Sequence, residues 1–390
     1  MTQRVGEPER VSARGIEPRY VPGGTTRKVR IVTHTSSAVL GTFRDYILGP
    51  TRFMNLMSCF ELGIITNLTR FHPAGLTAQQ IADATGTTAH NVEQLMQLPV
   101  KDGFLSYNEK TGTYALEGLG RLSEAELDRV LPWMSVVKEV CLRQLYYLTD
   151  SVRTGKIVGL EQLYGVTGNF YAAGEALPDL HVAWAKTMSQ VSAFIDPWFF
   201  NQLDLPENAK VLDLAGNTGQ GALLAHQHHP GKNLHVTCFD LPEKEAETLE
   251  NFRTHGVEEH CSFIGGDAFA EVPRGFDIIM IKHFLDMWDR DSARRILDNV
   301  FESLDVGGKV IALSLTYPED TIADAVADFF PAYFLGCTMA QGGPQKLTTY
   351  TTWLKESGFD ITNTITQDPA TLTPDTIPIH SIICATKKSR

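Results

Sequence analysis

Between Ala209 and Ala385 the chain repeats one rhythm. Short apolar runs (Val211–Leu214, Leu234–Phe239, Ser262–Ile264, Ile278–Ile281, Val310–Leu315, Ser381–Ala385) alternate with amphipathic segments of helix length. A strand buried on both faces reads as a continuous apolar run, and the helix between two such strands is the crossover that parallel pairing needs. This half of the chain is therefore expected to be α/β, a mostly parallel sheet with helices on both faces.

The first of those strands leads into the most informative segment, AKVLDLAGNTGQGALLAHQHHP. Gly216 and Gly219 let the backbone turn tightly and let a ligand approach the peptide groups where a helix starts near Gln220. Asn217 suits a position that needs positive φ. The second strand ends in Asp240, 27 positions after Asp213, followed by Leu241. A carboxylate there typically takes the ribose hydroxyls of an adenosine. The third strand runs into Asp267, Ala268 and Phe269, at the same edge of the sheet. No GK[ST] follows the loop, which disfavours a nucleoside triphosphate, and GxGxxG spacing is absent, which weighs against a nicotinamide dinucleotide.

Composition excludes several partners. Acidic residues outnumber basic ones 46 to 34, a net charge of −12 in 390 residues, so general attraction to a nucleic-acid backbone is not expected. Six cysteines without CxxC spacing fit thiols in a reducing compartment. The polar N-terminus lacks a secretion signal and no run is long enough to span a membrane, so a cytoplasmic protein is expected. His226, His228 and His229 read as a solvated helix end, and no metal site is expected.

Ahead of the sheet, residues 1–25 read as a mobile tail. The segment 35–70 is apolar on too many faces for a simple surface helix, so it is expected to bury them against another element or another subunit. Thr77 is placed to cap a helix through Ile81 that Gly86 ends, and a second helix follows from about His90, with Pro99 expected to end or kink it. GFLSYNEKTGTYAL then reads as a hairpin, which completes a winged-helix pattern. One lysine in the would-be recognition helix argues against a DNA reader. Residues 124–200 read as helical.

Taken in order, LDLAGNTG, FDLPE, GGDAF and IKHFLDMWDRDSARRILDNV resemble class I S-adenosylmethionine-dependent methyltransferases, and the chain from about residue 35 is similar to the two-domain small-molecule O-methyltransferases of natural-product pathways. The resemblance implies a Rossmann-type catalytic domain over 206–390, an α-rich winged-helix-like dimerisation domain over 26–125 and a helical linker over 126–205. It implies a homodimer and a small-molecule acceptor. Asp213, Gly216 and Gly219 would cradle the methionine end of S-adenosylmethionine. Asp240 with Leu241 would hold the ribose, and Asp267, Ala268 and Phe269 would flank the adenine. Lys282 would lie near the cofactor carboxylate, and Trp184, Met188, Trp288 and Ser314 along the acceptor.

One departure stands out. Where the family has His-Asp-Trp, with the histidine as base, this chain has Asp286-Met287-Trp288, and the acids that orient the base are replaced by Ser314 and Gln345. The catalytic candidates are then Asp286, His283 and Gln345. An exposed aspartic acid titrating near ~4 is a poor base for a phenol near ~10. The expectation is C- or N-methylation, or O-methylation driven by proximity. The alternative is a non-methylating cyclase, pericyclase or isomerase that uses the sulfonium as a fixed charge.

Overall fold

The computed structural model describes residues 35–173, 177–317, 325–374, 376 and 379–389; the predicted tail 1–25 lies outside the described residues. By its internal contacts the chain divides into Met1–Leu56 and Met57–Arg390.

The first unit contains most of one 26-residue helix, Ser36–Glu61, which runs through Pro50. Val39, Leu40, Phe43, Tyr46 and Ile47 are exposed on it, and their spacing places them along one stripe. Within the described chain this apolar stripe is uncovered.

The second unit begins with the predicted helix–turn–helix and hairpin. The helix Ala78–Thr85 starts in a capping box, Thr77 accepting from the Gln80 amide while the Gln80 side chain accepts from the Thr77 amide, and stops at left-handed Gly86. Thr88 caps the next helix, Ala89–Lys101. Pro99 does not end that helix, which continues two residues beyond it with Val92, Met96 and Pro99 buried. Strands β1 (Leu76–Thr77), β2 (Leu105–Asn108) and β3 (Thr113–Leu116) form a small antiparallel sheet in the order β1-β3-β2. The region expected to be helical is broken into short pieces at Gly155 and Gly165, both left-handed helix caps. It closes with the long helix Pro178–Asn201.

The main sheet holds β4 (Lys210–Leu214), β5 (His235–Asp240), β6 (Cys261–Gly265), β7 (Ile278–Lys282), β8 (Lys309–Tyr317), β10 (Phe359–Thr366) and β11 (His380–Lys387), in the order β10-β11-β8-β7-β4-β5-β6, with the short β9 (Gln345–Lys346) beside the end of β8. The pairs from β8 through β7, β4 and β5 to β6 are parallel; β11 is antiparallel to β8 and β10 to β11. Six of these strands lie where the apolar runs predicted them. The connection order reverses between β4 and β7, and ligands of open α/β sheets bind in the crevice beyond the strand ends at such a point. Both faces are covered. Leu212, Ile279 and Ala312 pack with the helix Arg290–Ser303 on one side, whereas Val211, Met280 and Leu313 pack with Ile195 and Phe199 of the helix Pro178–Asn201 on the other.

Leu297 is fully buried in the first of these cores. Leu297→Ala is expected to lower stability by about 2–5 kcal/mol, read as a fall in the denaturation midpoint, because the cavity adds to the lost transfer energy.

Candidate active site

The loop after β4 is shaped by what lies beneath it. Ala215, Asn217 and Gly219 all have positive φ, at 57, 49 and 76°. A Cβ on Gly216 or Gly221 would fall 2.6 or 2.4 Å from Asp213 Oδ2, and one on Gly219 would strike Phe252 at 2.6 Å. These positions admit no side chain. Asp213 is itself only 1% exposed and accepts from the Ala222 amide in the first turn of the following helix. It supports the loop from below, under Gly216 and Gly221. Burial pushes its carboxyl up to about 6; Lys282 opposes this, while Asp196 and Asp240 add to it.

Asp240, at the end of β5, ties the loop to its neighbour. One oxygen accepts from Asn217 N and the other from Leu241 N, each at 2.7 Å. Burial raises its carboxyl, while those two amides and Lys244 hold it back. Beyond β6, exposed Asp267 accepts from Phe269 N at 2.9 Å and buried Ala268 accepts from the Asn299 side chain. The Phe269 ring meets Trp288 edge-on at 4.7 Å. Trp288, expected along the acceptor, thus stands against the residue expected at the adenine, although it also borders the aromatic cluster on the acceptor side. Its Nε1 has no protein hydrogen-bond partner.

These residues fit S-adenosylmethionine. Asp240 keeps lone pairs for a diol after two amides have fixed it, and Phe269 and Trp288 offer aromatic surface to a flat base. Lys282, expected beside the cofactor carboxylate, has its Nζ 2.8 Å from Asp196 Oδ1 and lies over the Phe200 ring at 5.0 Å. Its charge is already paired.

Asp286 sits in the turn Leu285–Met287, 2% exposed, and its Oδ1 has no protein hydrogen-bond partner. Burial pushes its carboxyl up to about 7, against weaker stabilisation of the anion by the amides of Asp286 and Leu315. The Gly-Gly loop buttresses this turn. Gly343 N donates to Asp286 O at 2.7 Å, and a Cβ on Gly342 would lie 2.5 Å from the Met287 carbonyl. Gln345 braces the loop by donating to Gly343 O at 3.0 Å, and its amide donates to the Tyr350 hydroxyl. It acts on Asp286 only through that loop. Ser314 is wholly buried and alternates onto the sheet face of Ala312, the face packed by Arg290–Ser303.

His283 follows β7 with φ 50° and meets the ring of His380 edge-on at 5.0 Å. Burial, aided by Lys282, lowers its imidazole to about 3, which makes it a far weaker base than Asp286 and removes it as a substitute for the missing histidine. His380, held by Gln367 at 3.1 Å, had no signal in the sequence.

On the acceptor side, Trp184 stacks edge-on against Tyr171 at 5.2 Å. Half-buried Met188 lies one turn further along the same helix. The Tyr171 phenol is raised by its packed surroundings and then by the nearby Asp286, with the residue 38% exposed; burial, then Tyr171, raises the Tyr333 phenol beside Trp184. Tyr171 and Tyr333 were missed because each lies in a short helical piece without clear periodicity. Asp196 was also missed, although an acid inside the apolar run AFIDPWFF was a signal that could have found it. The histidines at 226–229 have structural contacts: His226 stacks on His260 at 4.6 Å, His228 stacks on Phe200, and His229 bonds the carbonyls of Ala225 and Leu203.

Asp240→Ala leaves two amides unpaired and removes the ribose acceptor. S-adenosylmethionine affinity measured by calorimetry should fall about 10- to 100-fold. Unchanged affinity would refute the assignment of this edge to the cofactor.

Comparison with known proteins follows the same lines. A family described as an O-methyltransferase domain matches residues 145–360. The L-tyrosine C(3)-methyltransferase of Streptomyces lavendulae is 23% identical over 342 residues, 87% of this chain and 91% of that protein. The tetracenomycin polyketide synthesis 8-O-methyltransferase of Streptomyces glaucescens is 27% identical over 227 residues, 58% of this chain and 64% of that protein. The apo structure of the S-adenosylmethionine-dependent methyltransferase SibL superposes with a TM-score of 0.72 at 22% identity, covering 90% of this chain and all of SibL. With the family spanning more than half of the residues, this chain belongs to the O-methyltransferase family.

Proposed function

We propose that this protein is a methyltransferase of natural-product metabolism that methylates a phenolic oxygen, or the ring carbon beside it, on a small aromatic acceptor. The observation that carries the reading is Asp286, a buried carboxyl poised at about 7 in the position where the family keeps its histidine. A base near neutrality is what a phenol requires, and burial has moved this aspartic acid from the ordinary range near ~4. The sequence alone weighted the reading toward acceptors that need no base; the burial of Asp286 supports a base-assisted reading. The relatives include both a C- and an O-methyltransferase, and a phenolate is nucleophilic at both kinds of atom.

S-adenosylmethionine, when bound, supplies an electrophilic methyl group. Asp240 and the loop Ala215–Gly219 would fix its adenosine and methionine portions, with Phe269 and Trp288 at the base. Asp286 would take the acceptor's hydroxyl proton, leaving a phenolate able to accept the methyl group the cofactor supplies at its oxygen or at the neighbouring ring carbon; in the carbon case the ring proton is then lost and the oxygen regains one. Tyr171, Trp184 and Tyr333 hold the acceptor ring in line, which converts a bimolecular encounter into an oriented one. The six unpaired thiols suit the cytoplasm.

The test is the pH profile of S-adenosylhomocysteine formation with hydroxylated aromatic acceptors. Because the ionised carboxylate is the active form, kcat should rise with pH through about 7 in the wild type. Asp286→Asn should lose that limb and about 10²–10⁴ in kcat. An unaltered profile would rule out Asp286 as the base.

We also infer a homodimer, supported by the uncovered stripe Val39, Leu40, Phe43, Tyr46 and Ile47. Light scattering should give twice the chain mass of 43.2 kDa, and Phe43→Asp with Ile47→Asp should shift the particle to the monomer. A monomeric wild type would refute it.

A further inference from the structure

Past the end of β7 the neighbouring strand β8 has an open edge. Lys282 pairs with Leu313, and Leu315, two residues further on, has no β7 residue opposite it. A strand residue directs its N–H and C=O to the same side, so both groups of Leu315 need partners there. Two side chains supply them. The Asp286 carboxyl accepts from the Leu315 amide, and the Tyr350 hydroxyl donates to the Leu315 carbonyl at 3.1 Å. Tyr350 also accepts from Gln345 N at 3.2 Å. Gln345 Nε2 donates to Gly343 O at 3.0 Å, and Gly343 N donates to Asp286 O at 2.7 Å. The links return to the residue where they began.

We propose that Tyr350 is a positioning residue for Asp286: its hydroxyl closes a ring of hydrogen bonds that holds the Gly342–Gly343 loop over the carboxyl. The inference rests on Asp286 being the base. Tyr350 suits the task because it is anchored elsewhere. It lies on the helix Leu347–Glu356, is wholly buried, and meets Trp353 edge-on at 5.4 Å, so packing fixes its hydroxyl independently of the ring. Burial and then Asp286 push its phenol well above the ordinary range, and it stays a neutral donor. Tyr171, the other phenol that feels Asp286, is raised as well, so neither changes charge near neutral pH.

Without the hydroxyl, the Leu315 carbonyl and the Gln345 amide both lose a partner, and the loop relaxes until water can pair them. Water that reaches Asp286 undoes the burial that raises its carboxyl, while a looser Leu315 amide acts the other way. Burial is the larger cause, so Asp286 should ionise at lower pH once the ring is opened.

The experiment is an infrared titration of the full-length protein, following the carboxylic-acid band that Asp286→Asn removes. That assignment separates Asp286 from Asp213, which titrates near 6 and survives the substitution. The wild-type band should have its midpoint at about 7. Tyr350→Phe should raise the acid dissociation constant about tenfold, a midpoint about one pH unit lower. Leu297→Ala opens a cavity in the same core without touching the ring and should leave the midpoint in place. A Tyr350→Phe midpoint at or above the wild-type value overturns the proposal, as does a Leu297→Ala midpoint that falls equally far. If Tyr350→Phe does not fold, Gln345→Leu decides, because it opens the ring at the Gly343 carbonyl; an unmoved midpoint there overturns it. A wild-type midpoint in the ordinary range near ~4 instead overturns the base reading beneath it.

Discussion

The withdrawal of carboxylates from water at one edge of the sheet is the constraint on which the rest depends. Asp213, Asp196 and Asp286 are each no more than 2% exposed, and they come from a strand, a long helix and a turn. An ionised carboxylate in apolar surroundings is destabilised, so each must be held by an amide, a cation or a proton. Asp213 is held by the Ala222 amide, Asp196 by Lys282, and Asp286 in part by the amides of its own turn and of Leu315. The glycines of the loop follow from the first of these. A side chain on Gly216 or Gly221 would occupy the volume of the Asp213 carboxylate. The loop is thus glycine-rich as much to fit over its own aspartate as to admit a ligand.

How much of this the sequence disclosed depended on whether a neighbour along the chain or across the fold set the property. Strands buried on both faces announce themselves, and β4, β5, β6, β7, β8 and β11 lay where the apolar runs placed them. The edge strand β10 did not, because FDITNTIT exposes threonine and asparagine on its open side and carries little apolar signal. Caps are local chemistry, so the cap at Thr77 and the stop at Gly86 were readable from the sequence, and the structure adds Gln80 to the first. Pro99 was expected to end or kink its helix and does not end it, because the packing of Val92, Met96 and Pro99 into the core outweighs the local signal.

The site divided along the same line. Asp240 and the loop could be placed from sequence because strand, turn and helix order puts them at the crevice. What Asp286 is, by contrast, is set by what surrounds it. The same residue in water would be a weak base, and burial raises it, with the turn Leu285–Met287 packed under the Gly342–Gly343 loop. His283 shows the converse. Its residue type pointed to a base, and burial beside Lys282 and His380 removed it. Gln345 stands where an orienting acid was expected and has become a brace for the loop, so the departures at 286 and 345 belong together: a carboxylate base needs no second carboxylate to orient it.

The exchange of histidine for aspartate also changes the charge balance of the step. A neutral imidazole that accepts the acceptor's proton becomes a buried cation just as the sulfonium loses its charge, so one positive charge replaces another. An ionised Asp286 starts as an anion opposite the sulfonium and ends as a neutral acid beside a neutral thioether. In a dry site that second path removes two buried charges in one event. Its driving force therefore grows as the site is better sealed from water, because the cost of isolating two charges outgrows their mutual attraction as the dielectric constant falls. The burial that turns Asp286 into a base near neutrality and the burial that makes charge cancellation favourable are the same structural fact. A base of this kind requires a closed site, and the Gly342–Gly343 loop packed on the turn Leu285–Met287 covers Asp286, which is 2% exposed.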